Sequence, residues 1–97
     1  MILRADDIEE VGGRRPYDLK GRPITVDHFV TRFTTPDMPF GPHQHEQREL
    51  WFILEGKAVV SLDGIDQPVS ARDLVVIDPW VAHGLRTDSR VQWVCLG

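Results

Sequence analysis

The chain has one cysteine, no long hydrophobic run and no excess of positive charge, and each shortage argues against a class of protein. The single cysteine, Cys95, cannot form an internal disulfide, so we expect no disulfide framework and a reducing, cytoplasmic compartment. A net charge of −4 argues against a nucleic-acid-binding face and gives no reason to expect docking on anionic membranes. The longest apolar stretch, residues 50–54, is too short to cross a bilayer, and the N-terminus is too acidic for a signal peptide.

Helix-forming windows are also scarce, because proline and glycine interrupt the sequence throughout. One candidate helix covers Asp6 to Val11, where an aspartate could cap the first turn before Gly12-Gly13 ends it. A frayed acidic segment explains the same residues equally well. The 97 residues suffice for one small domain, which buries roughly 60–65% of its unfolded surface, so a partner subunit or a metal would add stability.

The rest of the sequence predicts short β-strands separated by turn residues. Strands are expected at 24–34, 50–54, 57–62, 65–69, 74–77 and 91–96, with turns at Glu55-Gly56, Asp63-Gly64 and Asp78-Pro79. With the segments around the histidines this makes about eight strands, a pattern typical of an all-β sandwich or small antiparallel barrel. We expect a single domain over 1–97, with an N-terminal arm at 1–23 and a barrel at 24–96.

Several of the predicted strands are apolar on both faces. Trp51, Phe52 and Ile53 are consecutive, so at least one large apolar side chain must point away from the interior. A second subunit is the simplest cover for that outer face, and we therefore expect a homodimer. Residues Met1–Arg4 could add a strand to the partner's sheet and cover an open edge.

Three histidines and one glutamate form the most informative pattern. His43 and His45 are two residues apart, so on a strand they project from the same face. A straight strand would put Glu49 about 13 Å from His45, too far for two ligands of one ion, so residues 46–48 must bend if Glu49 is a ligand. His83 follows a turn that could return it to the same place. Three neutral imidazoles and a carboxylate suit one divalent ion (Mn, Fe, Co, Ni, Cu or Zn) and leave two positions open on a six-coordinate metal.

The same residues resemble the first motif of the cupin superfamily. That motif is HxH, three or four residues, Glu, six residues and Gly, and it is matched in full by His43-Gln44-His45, Glu49 and Gly56. The family's upstream glycine falls near Asp37 or Met38, so that part of the pattern is missing.

The second cupin motif, GDxxxxPPGxxHxxxN, is matched in part. His83 keeps its place, while Arg72, Asp78 and Trp80 replace a Gly, a Pro and a Gly, and Thr87 stands at the Asn position. These differences affect turns more than ligands. The resemblance covers about residues 24–96 and implies a small jelly-roll barrel like the single-domain type-2 cupins, usually dimeric and with a metal inside.

The resemblance puts the metal on His43, His45, Glu49 and His83 but specifies no reaction, because the fold supports many chemistries. The first hypothesis is an enzyme acting on a small molecule, with dioxygenase-type chemistry or isomerase- or lyase-type chemistry. Glu49 is the one candidate for a catalytic role, as a base if it detaches from the metal. The alternative is a non-catalytic small-molecule-binding module or sensor with a structural metal.

A few other residues are candidates for the pocket wall. Trp93 and Cys95 share one face of the last strand and could line the side opposite the metal, although Cys95 could equally be a small buried hydrophobe. Trp80 and Phe33 are further wall candidates, and Trp80 could instead pack against a partner. His28 lies outside the motif and is expected to be exposed or at an interface.

Four arginines complete the set of candidate ligand-binding residues. These are Arg32, Arg48, Arg72 and Arg86. Each could bind an acidic substrate, but we expect each more simply to be a solvated charge on the surface.

Overall fold

The computed structural model of the protein describes residues 1–11 and 14–97. Its regular structure consists of eight antiparallel strands and one short 3₁₀ turn, and the all-β prediction is confirmed. The strands are β1 (Ile2–Leu3), β2 (Phe29–Thr34), β3 (Phe40–His43), β4 (Glu49–Leu62), β5 (Ile65–Ser70), β6 (Leu74–Ile77), β7 (His83–Arg86) and β8 (Val91–Leu96). Within these described ranges there is no α-helix, and no helix is long and apolar enough to cross a membrane.

The long strand β4 organises the fold because it belongs to two sheets. Its first half pairs with β6 and β8, and its second half pairs with β5 and β7. Strand β1 extends the first sheet beside β6, β2 extends it beside β8, and β3 extends the second sheet beside β7. The arrangement is a jelly roll whose strands do not close into a continuous hydrogen-bonded ring over the described residues.

The predicted turn at Glu55-Gly56 is wrong, because β4 runs straight through it as a bulged strand. The register with β8 shifts between Ile53 and Glu55, and Gly56 has φ +93°. A Cβ at Gly56 would lie 2.3 Å from the carbonyl oxygen of Arg90, so only glycine lets the two chains approach this closely. The bulge therefore lets one strand pass from the first sheet to the second. The predicted hairpin at Asp63-Gly64 is confirmed, with φ of +50° and +80°.

The interior between the two sheets is filled by large apolar side chains. Trp51, Ile53, Val60, Val75 and Trp93 are fully buried there. Their tight packing gives the histidine end of the jelly roll a rigid floor, since close-packed interiors resist displacement.

The outer face of the first sheet is covered by the chain's own N-terminal arm. Leu50, Leu74 and Val76 form a second cluster, against which Tyr17 and other arm residues pack. Phe52 points to this outer side, where the Tyr17 ring meets it edge-on at 5.9 Å between centroids. A second subunit is therefore not needed to cover this part of the sheet.

The N-terminus itself differs from two sequence expectations. Ile2–Leu3 pairs with Val75 and Leu74 of the same chain, so this segment covers the edge of its own sheet. The helix considered at Asp6–Val11 is reduced to a 3₁₀ turn over Ala5–Asp7, and Ile8 is extended. Its proposed end at Gly12-Gly13 lies outside the described residues. The carboxylate of buried Asp73 holds the turn in place by accepting the backbone N–H of Ala5 at 3.0 Å.

Candidate metal centre

His43 and His83 face each other across neighbouring strands. They are directly paired in the β3–β7 register, and their Nε2 atoms are 3.1 Å apart. The pairing depends on Gly41, which has φ +72° and lies so close to β7 that a Cβ there would meet the carbonyl oxygen of His83 at 2.7 Å. The close approach of the two strands thus sets the separation of the two imidazoles.

The proton of His83 is held on the ring nitrogen that faces away from the other histidines. Its Nδ1 lies 2.7 Å from the carbonyl oxygen of Val81, which can only accept, so Nδ1 carries the hydrogen and Nε2 presents its lone pair. The side chain is fully buried, and this burial lowers the pKa of His83 below its ordinary value; the nearby His43 and His45 lower it further. Both effects favour the neutral imidazole that a metal requires.

His45 and Glu49 approach the pair from the bend between β3 and β4. Residues 44–48 lie outside both strands, so the predicted bend is confirmed. Glu49 Oε2 is 3.4 Å from His45 Nε2, and Glu49 Oε1 is 3.7 Å from His83 Nε2. The indole N–H of Trp51 donates to Oε1 at 3.2 Å and orients the carboxylate, which is almost completely buried.

The three imidazoles are spaced so that one transition-metal ion could bind between them, and Glu49 borders this group. Ligands about 2.1 Å from a metal and at right angles to each other lie about 3 Å apart. The His43–His83 separation of 3.1 Å and the Glu49–His45 separation of 3.4 Å are close to that value. The three imidazoles each offer a nitrogen within 4.8 Å of the others. In addition, His45 Nδ1 is buried without a hydrogen-bond partner among the described residues.

Aromatic rings form the floor below the donors. Trp51 lies 5.4 Å from the His83 ring and 4.7 Å from Trp93, measured between centroids. Phe40 packs edge-on against both tryptophans and against His43. These contacts exclude water from the lower side of the site and leave its access on the side of His43, which is exposed.

The four residues predicted as pocket wall occupy different places. Trp93 forms part of the floor, and Cys95 lies beside Glu49 with 3% of its surface exposed. Burial, with the neighbouring Glu49 carboxylate, raises the pKa of the Cys95 thiol to about 11. Trp80 is mostly exposed in the β6–β7 loop, where its backbone N–H donates to the carbonyl oxygen of His45 at 2.8 Å.

The prediction for Phe33 is wrong, because this ring points away from the interior. Phe33 is 54% exposed and lies under the guanidinium of Arg90. Its strand neighbours point inward instead, and Thr34 accepts the indole N–H of Trp93 at 3.1 Å. The alternation along β2 therefore places its phenylalanines on the outer side.

The expectation for His28 is met only in part: its side chain is 34% exposed, but it also turns toward the site. His28 Nε2 is 3.3 Å from Glu49 Oε2 and 3.4 Å from Cys95 Sγ. Its backbone exchanges hydrogen bonds with Gly97 that continue the β2–β8 ladder beyond the last paired residues. Alternation in the sequence puts His28 on the side opposite to Phe29 and Phe33, but nothing in the sequence indicates that this side faces inward.

The arginines also separate into different environments. Arg48 and Arg86 pair with Asp78 and Asp66, and these contacts make them structural or surface residues. Arg32 instead places its guanidinium 4.7 Å from the centroid of the Phe40 ring and 5.8 Å from that of Trp93. Within the described part of the chain no carboxylate lies within 4 Å of it.

The family profile of the cupin domain matches residues 34–97, well over half of the chain. The protein therefore belongs to the cupin family, and the resemblance noted in its two motifs is confirmed. No curated protein sequence matches the chain.

Several solved structures have the same fold. A cupin 2 domain-containing protein from Halorhodospira halophila is 20% identical, with a TM-score of 0.69 over 99% of this chain and 73% of that one. A predicted oxalate decarboxylase from Thermotoga maritima is 24% identical, with a TM-score of 0.67 over 73% of this chain and 64% of that one. An RmlC-like cupin from Shewanella frigidimarina is 18% identical, with a TM-score of 0.62 over 70% and 63%. The chain thus spans slightly less than two thirds of the last two proteins, and identities this low show the fold alone.

Proposed function

We propose that His43, His45, Glu49 and His83 bind one divalent transition metal and that the protein acts on a small molecule at this centre. The observation that carries the proposal is the state of His83. Its Nδ1 proton is held by the Val81 carbonyl, and its Nε2 lies 3.1 Å from His43 Nε2 and 3.7 Å from Glu49 Oε1. A donor set of three imidazoles and one carboxylate accepts several first-row ions, so cellular supply decides which metal is bound.

The metal would supply Lewis-acid or redox chemistry with positions left open for a ligand. The surrounding residues position the donors: Val81 holds the His83 proton, and Trp51 orients Glu49 by its N–H. Arg32 lies over the rings that line the same end and has no carboxylate partner among the residues described. A cation in this place favours an acidic small molecule as the substrate.

An enzyme is the preferred interpretation. The candidate reactions are of two kinds: lyase- or isomerase-type chemistry on a small acid, and dioxygenase-type chemistry. The fold neighbour from Thermotoga maritima is described as a predicted oxalate decarboxylase, which makes oxalate one reasonable test compound. The second candidate is a non-catalytic binding module with a structural metal. It is favoured by the tight aromatic floor, which leaves little room below the donors.

The metal assignment is tested by measuring metal content in the protein as isolated and after reloading. The three-histidine centre is expected to hold one ion per chain, and the variant His43→Ala/His83→Ala is expected to lose that ion while staying folded. Gln44→Ala, between the two motif histidines, is the matched control and should retain the ion. A metal stoichiometry in the double variant that is unchanged from the wild type would contradict the assignment.

Turnover separates the enzyme from the binding module. Metal-loaded protein is incubated with oxalate, small keto acids and aromatic diols, and product, carbon dioxide and dioxygen consumption are measured. Conversion that disappears in His43→Ala/His83→Ala supports the enzyme. Tight binding of such a compound, with the compound recovered unchanged, supports the module.

A further inference from the structure

Outside the three-histidine group, Glu49 belongs to a second set of potential metal donors. His28, Glu49 and Cys95 each offer one donor atom, and these atoms all lie within 4.8 Å of one another. The set is built into the sheet: Cys95 belongs to β8, Glu49 begins β4, and the backbone of His28 is fixed by its hydrogen bonds to Gly97. Both Glu49 and Cys95 are buried, and His28 closes the cluster toward the solvent.

The distances in this cluster match tetrahedral coordination. An ion with a sulfur ligand at about 2.3 Å and nitrogen and oxygen ligands at about 2.0–2.1 Å requires sulfur and nitrogen about 3.5 Å apart, and nitrogen and oxygen about 3.3 Å apart. The measured separations are 3.4 Å between Cys95 Sγ and His28 Nε2, and 3.3 Å between His28 Nε2 and Glu49 Oε2. Two of the three donor separations therefore already suit an ion, and the third pair, Cys95 and Glu49, lies within 4.8 Å.

We propose that His28, Glu49 and Cys95 form a second metal-binding site, selective for a thiophilic divalent ion such as Zn²⁺, Cd²⁺ or Co²⁺. On binding, the sulfur–hydrogen bond of Cys95 breaks, a sulfur–metal bond forms and the proton leaves to solvent, with no change of oxidation state. Three protein ligands leave a fourth position for water, as in zinc sites that are not fully closed by protein. The thiolate distinguishes this site from the one proposed on the three histidines, which contains only nitrogen and oxygen donors.

Glu49 is common to both sites, so the two are linked. Its Oε2 is nearly equidistant from His28 and His45, at 3.3 and 3.4 Å. An ion held by Cys95 therefore either shares the carboxylate with the first ion or draws it away from the three histidines. The second site does not depend on the three histidines themselves, and the experiment below tests it without them.

The test is a Co²⁺ titration of the metal-free protein, followed by absorbance under a phosphine reductant. A thiolate bound to Co²⁺ gives an intense charge-transfer band in the near ultraviolet, which nitrogen and oxygen ligands do not give. Because the chain has a single cysteine, such a band reports Cys95 directly, without any variant. The band is expected to saturate at one thiolate-bound Co²⁺ per chain and to be displaced by Zn²⁺ or Cd²⁺.

Three variants assign the ligands. Cys95→Ser should abolish the band, and His28→Gln should weaken the Co²⁺ affinity measured from the band by tenfold or more. His43→Ala, which impairs the three-histidine group alone, should leave the band in place. Saturating Co²⁺ that binds the wild type without a thiolate band would show a hydrogen-bonded cluster only and would overturn the proposal, while leaving the three-histidine centre intact. An unchanged affinity in His28→Gln would remove His28 from the site.

Discussion

The exchange of Gly41 for alanine tests whether the close approach of β3 and β7 sets the metal geometry. A Cβ at this position would lie 2.7 Å from the carbonyl oxygen of His83, whereas real Cβ contacts almost never fall below 3.0 Å. The strands must therefore separate by at least 0.3 Å (3.0 − 2.7). That displacement acts on the backbone of His83 itself, whose partner His43 lies two residues beyond Gly41.

The structure supplies a matched control at Gly64. Gly64 has φ +80°, similar to the +72° of Gly41, but a Cβ there would have no atom within 4 Å. Both alanine variants thus pay the cost of a left-handed backbone, about 1–2 kcal/mol, and only Gly41→Ala adds a steric clash. Gly64→Ala should lower the free energy of unfolding by that amount and leave metal affinity unchanged.

Metal affinity is expected to fall at least tenfold in Gly41→Ala. Metal–ligand distances tolerate deviations of about 0.2 Å, so a forced separation of the strands spoils the right-angle spacing of His43 and His83. A tenfold loss corresponds to about 1.4 kcal/mol. Unfolding in urea, followed by circular dichroism on metal-free protein, gives the stability of both variants. Competition with a chromophoric chelator gives the Zn²⁺ affinity.

Equal Zn²⁺ affinity in the two alanine variants would refute this reasoning. In that case the imidazoles would reach the ion regardless of how closely the strands approach, and side-chain freedom rather than backbone geometry would set the site. A Gly41→Ala protein that is no less stable than Gly64→Ala would refute the steric part separately.

Three further outcomes follow from the packing and charges. Asp73→Ala should lower the free energy of unfolding, measured in urea, by about 2–4 kcal/mol, because the N–H groups of Ala5 and Ser70 lose their acceptor. Asp66→Ala, which removes an exposed carboxylate, should lower the free energy of unfolding much less. Equal decreases in the two variants would contradict this prediction. Burial lowers the pKa of His83 from its ordinary 6.5, so as the pH falls the unfolded chain binds a proton at this residue before the folded chain does. The metal-free protein should therefore lose stability as the pH falls through 6.5, and the metal-loaded protein should release its ion over the same range. A melting temperature that stays constant from about pH 7.5 to about pH 5 would contradict this prediction. The homodimer stays a prediction, and the two exposed phenylalanines on the outer side of β2 support it. Sedimentation that shows only an 11.1 kDa species at micromolar concentration would contradict it.

Local patterns were sufficient to predict most of the elements and the composition of the candidate site. Period-two apolar runs and turn residues located β5, β6 and β8 closely, because those signals act over a few neighbouring residues. The HxH spacing and the polar bend before Glu49 indicated that these donors could converge. The structure brings His83 to them across the β3–β7 pairing, as expected for a residue that follows the mouth turn.

Long-range pairing decided what the sequence left open or indicated wrongly. Gly56 looks like a turn residue, but the passage of Arg90 at close range makes it a bulge inside one long strand. Tyr17, in an arm with no strong pattern of its own, covers the outer face that a partner was expected to cover.

The most important feature that long-range pairing determined is which side of β2 faces the site. Alternation along a strand determines which residues share a side, so the sequence puts His28 and Arg32 on one side and Phe33 on the other. It cannot determine which side faces inward, because that depends on pairing with β8, whose residues lie some sixty positions away in the chain. Only that tertiary pairing placed His28 beside Cys95 and Glu49 and turned the phenylalanines outward.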